Sequence, residues 1–237
     1  MDVLEAVAQG KHHTQATRHM WAACFRRILH YLSEEHGVPR LWQVVPKVSK
    51  TAPRAVTVTN EEREKLLRAA PANIRCWILL CSDLAIRSTT SAQIAPKHYD
   101  REAGTVTIVT KFGSAQTLPV TAELAALFAS AKQTEDPSVP YVALLSRLGR
   151  IDPKTLRKNF KRLREKVGIN RQITPHDLRR TTAVKMLELT HDIRAVQALL
   201  GHRDLATTLY YLDHRNTPVA VANLELAKLN PHTEAIQ

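Results

Sequence analysis

Three prolines within fifteen residues, Pro39, Pro46 and Pro53, separate a short N-terminal segment from the rest of the chain. Because proline fixes φ and lacks a backbone N–H, this stretch can neither continue a helix nor enter the middle of a sheet. Scattered lysines and arginines make it typical of an extended basic linker. We therefore expect residues 1–56 to form a short helical segment with its linker, followed by a larger domain.

The N-terminal segment is predicted to contain one amphipathic helix, from Thr14 to about His36. Its apolar side chains recur at spacings of three and four residues and are Trp21, Cys24, Phe25, Ile28 and Leu32. A single helix cannot bury such a stripe by itself. The segment is therefore expected to be a partial or shortened helical unit, or to dock on something else.

The larger domain is predicted to be helical apart from one β region. Thr59 is a good N-cap for a first helix, and a second helix is expected from Ala72 to about Ile86. Residues 105–110 alternate apolar and polar side chains and are rich in β-branched residues, which predicts a strand. Residues 116–120 would return beside it as an edge strand, because of Pro119.

After residue 121 the pattern is helical again. One helix is expected to start at Asp152, which is followed by a proline. Four more helices are expected at Pro175–Leu189, Asp192–Leu200, Asp204–Asp213 and Pro218–Leu229. The predicted fold class is mainly α with a small antiparallel β-sheet (α+β). We expect a main domain at residues 57–215 and a helical tail at residues 216–237.

The charge of the chain suggests a polyanionic partner. Lys and Arg number 34 against 22 Asp and Glu, which gives a formal net charge of +12. Nucleic acid is the first candidate, an anionic membrane surface is the second, and a generally basic soluble protein remains possible. The helix after Asp152 is cationic on one face, which favours DNA contact over a merely solvated face. The predicted DNA-binding residues are Lys154, Arg157, Lys158, Lys161, Arg162, Lys47 and Lys50.

Several classes of function are disfavoured. The sequence has no glycine-rich nucleotide loop, no acidic metal cluster and no metal-ligand spacing among its 11 histidines. Its three cysteines lie in apolar helical surroundings, where buried and inert thiols are the usual case. We therefore expect no metal and no cofactor. No apolar run approaches the roughly 20 residues of a membrane span, and no signal peptide is recognisable, so a cytoplasmic, nucleoid-associated location is expected.

The residues that suggest chemistry lie in the C-terminal third. The string TPHDLRRTTA is followed by LLGHRDLATTLYYLD, which places His176, His202 and Tyr211 at intervals of 26 and 9 residues. His176 and Arg179 are three apart on one predicted helix, so they share a face. In a basic protein, they offer a proton acceptor, a phosphate-binding cation and a tyrosine.

These strings resemble the C-terminal signature of the tyrosine recombinase family, which includes the phage integrases. The resemblance covers about residues 57–215 well and residues 12–50 more loosely. The family's first arginine follows a Leu-x-x-Arg pattern, which Arg87 supplies, and its hairpin lysine matches Lys111. The resemblance implies the catalytic set Arg87, Lys111, His176, Arg179, His202 and Tyr211.

The resemblance also implies the role of each residue. Tyr211 would attack a DNA phosphate and form a 3′-phosphotyrosyl bond, with His176 accepting its proton. Two arginines would stabilise the pentacovalent transition state, so that neither metal nor ATP is needed. Lys111 would protonate the departing 5′ oxygen, and His202 would hydrogen-bond the phosphate. A second DNA strand could then reverse the reaction.

Two features depart from the family pattern. Many members have a glutamate three residues after the first arginine, where this chain has Thr90. The N-terminal segment is also shorter than the usual DNA-clamping helical bundle. Two alternatives therefore remain open: strand relaxation of the type IB topoisomerase kind, and a catalytically impaired DNA-binding relative.

The adjacent tyrosines raise a local question. Tyr210 and Tyr211 would point about 100° apart on a helix. The interval from His202 favours Tyr211 as the nucleophile, and Tyr210 is then a packing residue.

The resemblance finally implies partners: double-stranded DNA, a homotetramer assembled on two DNA sites, and an accessory DNA-bending protein. The tail helix at Pro218–Leu229 would dock on a neighbouring subunit or pack on its own domain.

Overall fold

The computed structural model describes residues 14–49, 56–109, 113, 115–147, 149 and 152–212, with the side chain of Tyr210 left out. Its internal contacts divide the chain after Arg54 into two compact units, which are described separately. Within the described residues, none of the helices is both long and apolar enough to span a bilayer. Lys50, Lys111 and the tail from residue 213 onward lie outside the described residues.

The first unit contains helix α1, Gln15–His36, and a 3-10 turn at Leu41–Gln43. The Thr14 side chain accepts a hydrogen bond from the Thr17 backbone N–H at the start of the helix, and Gly37, with φ of 64°, ends it in the left-handed conformation. Ala22 and Val45 form a small buried contact.

The apolar stripe predicted for α1 is only partly correct. Phe25 packs toward Ala22 and Val45, whereas Trp21 and Ile28 remain 38% and 56% exposed. The segment after the 3-10 turn lies along the Ala22 face, so the buried stripe is rotated relative to the prediction. The expectation that all three cysteines are buried is wrong for Cys24, which is exposed.

The second unit consists of nine helices and three strands among its described residues. The helices are α2 Asn60–Ala69, α3 Ala72–Ser82, α4 Ser88–Ser91, α5 Ala122–Ala129, α6 Tyr141–Leu144, α7 Pro153–Lys166, α8 Pro175–Thr190, α9 Ile193–Leu200 and α10 Leu205–Leu212, with a 3-10 turn at Pro96–His98. The strands are β1 Tyr99–Asp100, β2 Thr105–Val109 and β3 Ala115–Pro119. This is the mainly α architecture with a small sheet that the sequence predicts.

The sheet is antiparallel in the order β1-β2-β3. Val106 lies opposite both Tyr99 and Leu118, and Thr105 lies opposite Pro119. Pro119 is therefore on an edge strand, where its missing backbone donor breaks no ladder hydrogen bond.

Helix α3 forms the centre of the main core. Its side chains from Cys76 to Cys81 are all 0% exposed, which is typical of a helix surrounded by protein on every side. Trp77 meets Phe160 of α7 edge to face at a centroid distance of 6.2 Å, and its indole N–H donates to the Ser88 carbonyl at 2.9 Å. These contacts fix α3 relative to the segment that begins at Arg87.

Helix α3 is shorter than predicted. It ends at Ser82 rather than near Ile86, because the chain turns sharply there and Ala85 adopts a positive φ of 49°. A left-handed conformation costs an L-residue about 1–2 kcal/mol, so other interactions must maintain it. The hydrogen bond that the Ala85 carbonyl accepts from the guanidinium of Arg179 is one of them.

A second apolar cluster joins the three C-terminal helices α8, α9 and α10. It consists of Ala85, Ala183, Leu187, Val196, Leu200 and Leu212. Because each helix contributes to it, the cluster holds together the three sequence strings that carry the predicted site.

Candidate active site

Arg179 lies at the centre of the site. It projects from the second turn of α8, which begins with a capping box between Thr174 and Asp177. The side chain is 3% exposed, and its guanidinium donates to the carbonyls of Ala85 and, at 2.7 Å, of Leu200. Arg179 therefore ties the turn before Arg87 to the end of α9. Burial lowers the pKa of Arg179 to about 10, so it remains a cation at neutral pH.

A cavity of about 290 Å³ opens beside this arginine. Arg87, Arg179, Thr89 and Thr90 line one side, and the β2–β3 hairpin lines the other. The Gln116 amide of the hairpin donates to the Ala198 and Leu199 carbonyls at 2.8 and 2.9 Å, so the hairpin is attached to α9. Two guanidinium groups on one cavity are the arrangement that binds a phosphodiester.

The main chain at Arg87 is held by Ser91. Among the ion pairs of the described residues, none involves Arg87. Its backbone carbonyl instead accepts hydrogen bonds from the backbone N–H and the hydroxyl of Ser91, both at 2.8 Å. Ser91 is completely buried. These contacts fix the main chain at Arg87.

His202 follows α9, which ends at Gly201 with a φ of 57°. One ring nitrogen, Nδ1, lies 3.0 Å from the hydroxyl of the fully buried Thr208, which leaves Nε2 for another partner. Burial, and next the charges of Arg179 and Arg87, lower the pKa of His202 to about 4. The imidazole is therefore neutral at physiological pH.

Tyr211, on the last turn of α10, lies between the two histidines. Its ring meets His176 edge to face at a centroid distance of 4.9 Å and His202 at 5.7 Å. Its hydroxyl donates to the His176 carbonyl at 3.2 Å. Burial raises the pKa of Tyr211 to about 12, although the charges of Arg179 and Arg180 act in the opposite direction. The phenol is therefore protonated at neutral pH and needs a base to become a nucleophile.

His176 is suited to accept that proton. Loss of hydration and the charge of Arg179 lower its pKa below the usual value of 6.5. A neutral imidazole beside a protonated phenol is the pairing that general-base catalysis requires.

Five of the six residues predicted for catalysis lie around this one centre: Arg87, His176, Arg179, His202 and Tyr211. Lys111 lies outside the described residues, and the side chain of Tyr210 is not described. Within the part of the chain that is described, no cluster of potential metal ligands occurs.

Three supporting residues were not identified from the sequence: Ser91, Arg180 and Thr208. Each acts on a main-chain atom or on another side chain rather than facing the cavity. The doubled arginine of the HDLRR string was a visible signal for Arg180. The sequence signal for Thr208 was weaker, since it consisted only of a hydroxyl residue six positions after His202.

The predicted cationic face lies on α7. Its residues Lys154, Arg157, Lys158, Lys161 and Arg162 are all exposed, while Leu156, Phe160 and Leu163 are buried beneath them. Arg164 of the same helix is 9% exposed and bonded to Glu165, so it does not contribute to the face. Lys47 is exposed in the first unit.

Comparisons with known proteins identify the family of the chain. The family model described as the phage integrase family matches residues 56–217. Tyrosine recombinase XerA of Pyrococcus furiosus is 32% identical over 190 residues, which are 76% of this chain and 65% of that protein. The chain thus spans slightly less than two thirds of that relative.

Solved structures show the same fold at low sequence identity. A Tn1549 transposon integrase in complex with a circular intermediate DNA has a TM-score of 0.74 at 15% identity, covering 95% of this chain and 84% of that one. The XerH site-specific recombinase bound to a palindromic difH substrate has a TM-score of 0.66 at 18% identity, covering 98% and 70%. The chain belongs to the phage integrase family of tyrosine recombinases.

Proposed function

We propose that this protein is a site-specific DNA recombinase that cleaves and rejoins strands through a 3′-phosphotyrosyl bond to Tyr211. The observation that carries the proposal is the contact of the Tyr211 ring with both His176 and His202. The charge of Arg179, which lines a cavity together with Arg87, acts on the same phenol. This supports a site in which Tyr211 would act as the nucleophile, His176 as the base, and Arg87 and Arg179 as the cations that bind the phosphate.

In the proposed reaction, the Tyr211 oxygen attacks the scissile phosphorus as its proton passes to His176. Negative charge grows on the non-bridging oxygens, where Arg87 and Arg179 donate hydrogen bonds and His202 adds a further donor. Lys111 supplies a proton to the 5′ oxygen that leaves. The phosphotyrosyl bond replaces the phosphodiester bond, so a 5′ hydroxyl from another strand can attack it and restore continuous DNA without ATP.

The DNA partner and the assembly are parts of the same proposal. XerH and the Tn1549 integrase are described in complex with DNA, and the exposed cations of α7 would contact the DNA backbone. We propose a homotetramer on two sites, with an accessory DNA-bending protein, acting on the nucleoid in the cytoplasm. Residues 57–215 would be the catalytic domain, residues 1–56 a shortened DNA-clamping segment, and residues 216–237 a tail that contacts a neighbouring subunit.

The test begins with a pool of DNA duplexes that carry a random central region and one nick. When the protein cleaves close to the nick, the short fragment that begins with the free 5′ hydroxyl dissociates, and the protein stays covalently attached to the 3′ phosphate of the remaining strand. Adducts recovered under denaturing conditions would be sequenced to define the site, with Tyr211→Phe protein as the control. Enrichment of one site by the wild type alone is expected. The proposal is contradicted if no adduct forms with any DNA.

The recovered site would then be placed in two plasmids to measure strand exchange. Recombinant plasmids are the expected product. Adduct formation with relaxation of supercoils, but without strand exchange, would instead favour the topoisomerase-like alternative.

A further inference from the structure

Arg180 follows Arg179 on helix α8 and is 5% exposed, but it contacts a different part of the molecule. One guanidinium nitrogen, Nη1, donates to the carbonyl of Tyr211 at 2.6 Å, and Nη2 donates to the carbonyl of Leu212 at 2.9 Å. Consecutive residues point about 100° apart on a helix. The two arginines therefore reach separate neighbours, and Arg180 reaches the end of the helix that carries Tyr211.

The contact supplies donors to two main-chain carbonyls at the described end of α10. The last carbonyls of a helix have no partner within the helix and carry a partial negative charge. A guanidinium has parallel donors that match two adjacent oxygens and cannot lose its proton at working pH. The described part of helix α10 has 8 residues, and a helical stretch of that length is not stable in isolation. Its described end, where Leu212 is 1% exposed, therefore depends on contacts such as this one.

We propose that Arg180 is a positioning residue that fixes the end of α10, so that the Tyr211 hydroxyl is held within reach of the phosphate bound at Arg87 and Arg179. The inference rests on the proposed function and adds a residue to it. Arg180 would act through the main chain of the nucleophile rather than on the phosphate. The same helix α8 thus holds the phosphate-binding arginine and the arginine that places the nucleophile.

The charge of Arg180 also favours ionisation of the Tyr211 phenol. Together with Arg179, it lowers the pKa of Tyr211 and partly offsets the effect of burial. Arg180→Lys keeps the positive charge but not the paired donors. It therefore separates the electrostatic contribution from that of the two hydrogen bonds to the Tyr211 and Leu212 carbonyls.

The experiment compares wild type, Arg180→Met and Arg180→Lys on the DNA site selected with the wild type. The rate of adduct formation at saturating DNA and the Kd for DNA are measured at 25 °C, together with the melting temperature. We expect Arg180→Met to slow adduct formation by about 100-fold, because a displacement near 1 Å costs that much, with Kd unchanged within about twofold. Arg180→Lys should lie between the two, since lysine keeps the charge without the planar fork.

Arg171→Met is the matched control for loss of stability. Arg171 pairs with Glu62 and the Thr57 carbonyl, so its loss should lower the melting temperature without slowing the adduct step. The inference is overturned if Arg180→Met forms adduct at the wild-type rate, if its defect lies in Kd, or if Arg171→Met slows the step equally. Absence of adduct with the wild type would defeat the proposed function and this inference with it.

Discussion

At the scale of single residues, the site combines two permanent cations with three groups that are neutral at physiological pH. Burial raises the pKa of Tyr211 to about 12 and lowers that of His202 to about 4, and the pKa of His176 is lowered as well. The arginines contribute to the lowered pKa of both histidines, since a nearby positive charge disfavours imidazolium, whereas they oppose the rise in the pKa of Tyr211 because they favour phenolate. The same charges that would bind phosphate therefore keep His176 available as a base.

This arrangement predicts the pH dependence of cleavage. The single-turnover rate of adduct formation should be flat around pH 7 and fall as the pH drops below 6.5, because protonated His176 cannot accept the phenolic proton. His176→Gln should be slower by about 100-fold or more and should lack that fall. The measurement is adduct yield against time in buffers from pH 5 to 9. A decline that begins above pH 7 would contradict this role of His176.

Most of the residue-scale chemistry could be predicted from intervals in the sequence. Arg87, His176, Arg179, His202 and Tyr211 follow family spacings, and the structure places them together. Ser91, Arg180 and Thr208 could not be found in this way. Their functions depend on which atom lies opposite them, such as the Arg87 carbonyl for Ser91, and a long-range partner leaves no periodic signal.

At the scale of elements, the helix starts were easier to predict than the helix ends. Asp152, Thr59 and Asp192 are side-chain caps that act within three residues, so the sequence shows them directly. The end of α3 was misplaced because it depends on Ala85, whose positive φ is maintained from a distance by Arg179 and by the apolar cluster around it. Tertiary contacts there override a continuing apolar pattern.

The ion pair between Arg171 and Glu62 of α2 is expected to stabilise the fold. Arg171 donates to the Glu62 carboxylate, whose hydrogen bonds lower its pKa from 4.5 to about 2. A depressed carboxyl pKa stabilises the fold above the unfolded value, and this contribution is lost as the pH falls from about 4.5 through 2. Glu62→Gln should therefore lower the melting temperature at pH 7 by about 2–4 °C.

Thermal unfolding measured from pH 7 to pH 2 tests the contribution of the Arg171–Glu62 ion pair. The difference between wild type and Glu62→Gln should shrink as the pH falls. Glu61→Gln is the control, because Glu61 is 78% exposed in a pair with Lys65 and should have little effect. If both variants lower the melting temperature equally, the Arg171–Glu62 ion pair contributes no more to stability than an exposed pair does.

The cationic face of α7 predicts a salt-dependent affinity. Arg157→Gln combined with Lys158→Gln should weaken DNA binding and reduce the slope of log K against log salt by about 2, roughly 1 for each phosphate that is no longer neutralised. Lys132→Gln removes an exposed charge from outside α7 and should change the slope less. Binding isotherms between 50 and 300 mM salt measure both. An unchanged slope in the double variant would exclude α7 from the DNA interface.

At the scale of the whole molecule, the chain consists of two compact units, of which the second holds all the described residues of the candidate active site. The family membership and the mainly α fold with its small sheet were predictable from the sequence. The tail helix at Pro218–Leu229 and the hairpin lysine Lys111 lie outside the described residues, so their roles remain predictions. In the proposed function, recombination would involve two DNA sites and several subunits, whereas covalent cleavage would use the candidate active site of the second unit.

The most direct test of the central claim is peptide mapping of the trapped DNA adduct. The adduct would be digested with protease and nuclease, and the peptide that retains a nucleotide would be sequenced by mass spectrometry. The account predicts the modification on Tyr211, in a peptide that also contains the unmodified Tyr210. A nucleotide on Tyr210, or on any residue outside α10, would contradict it.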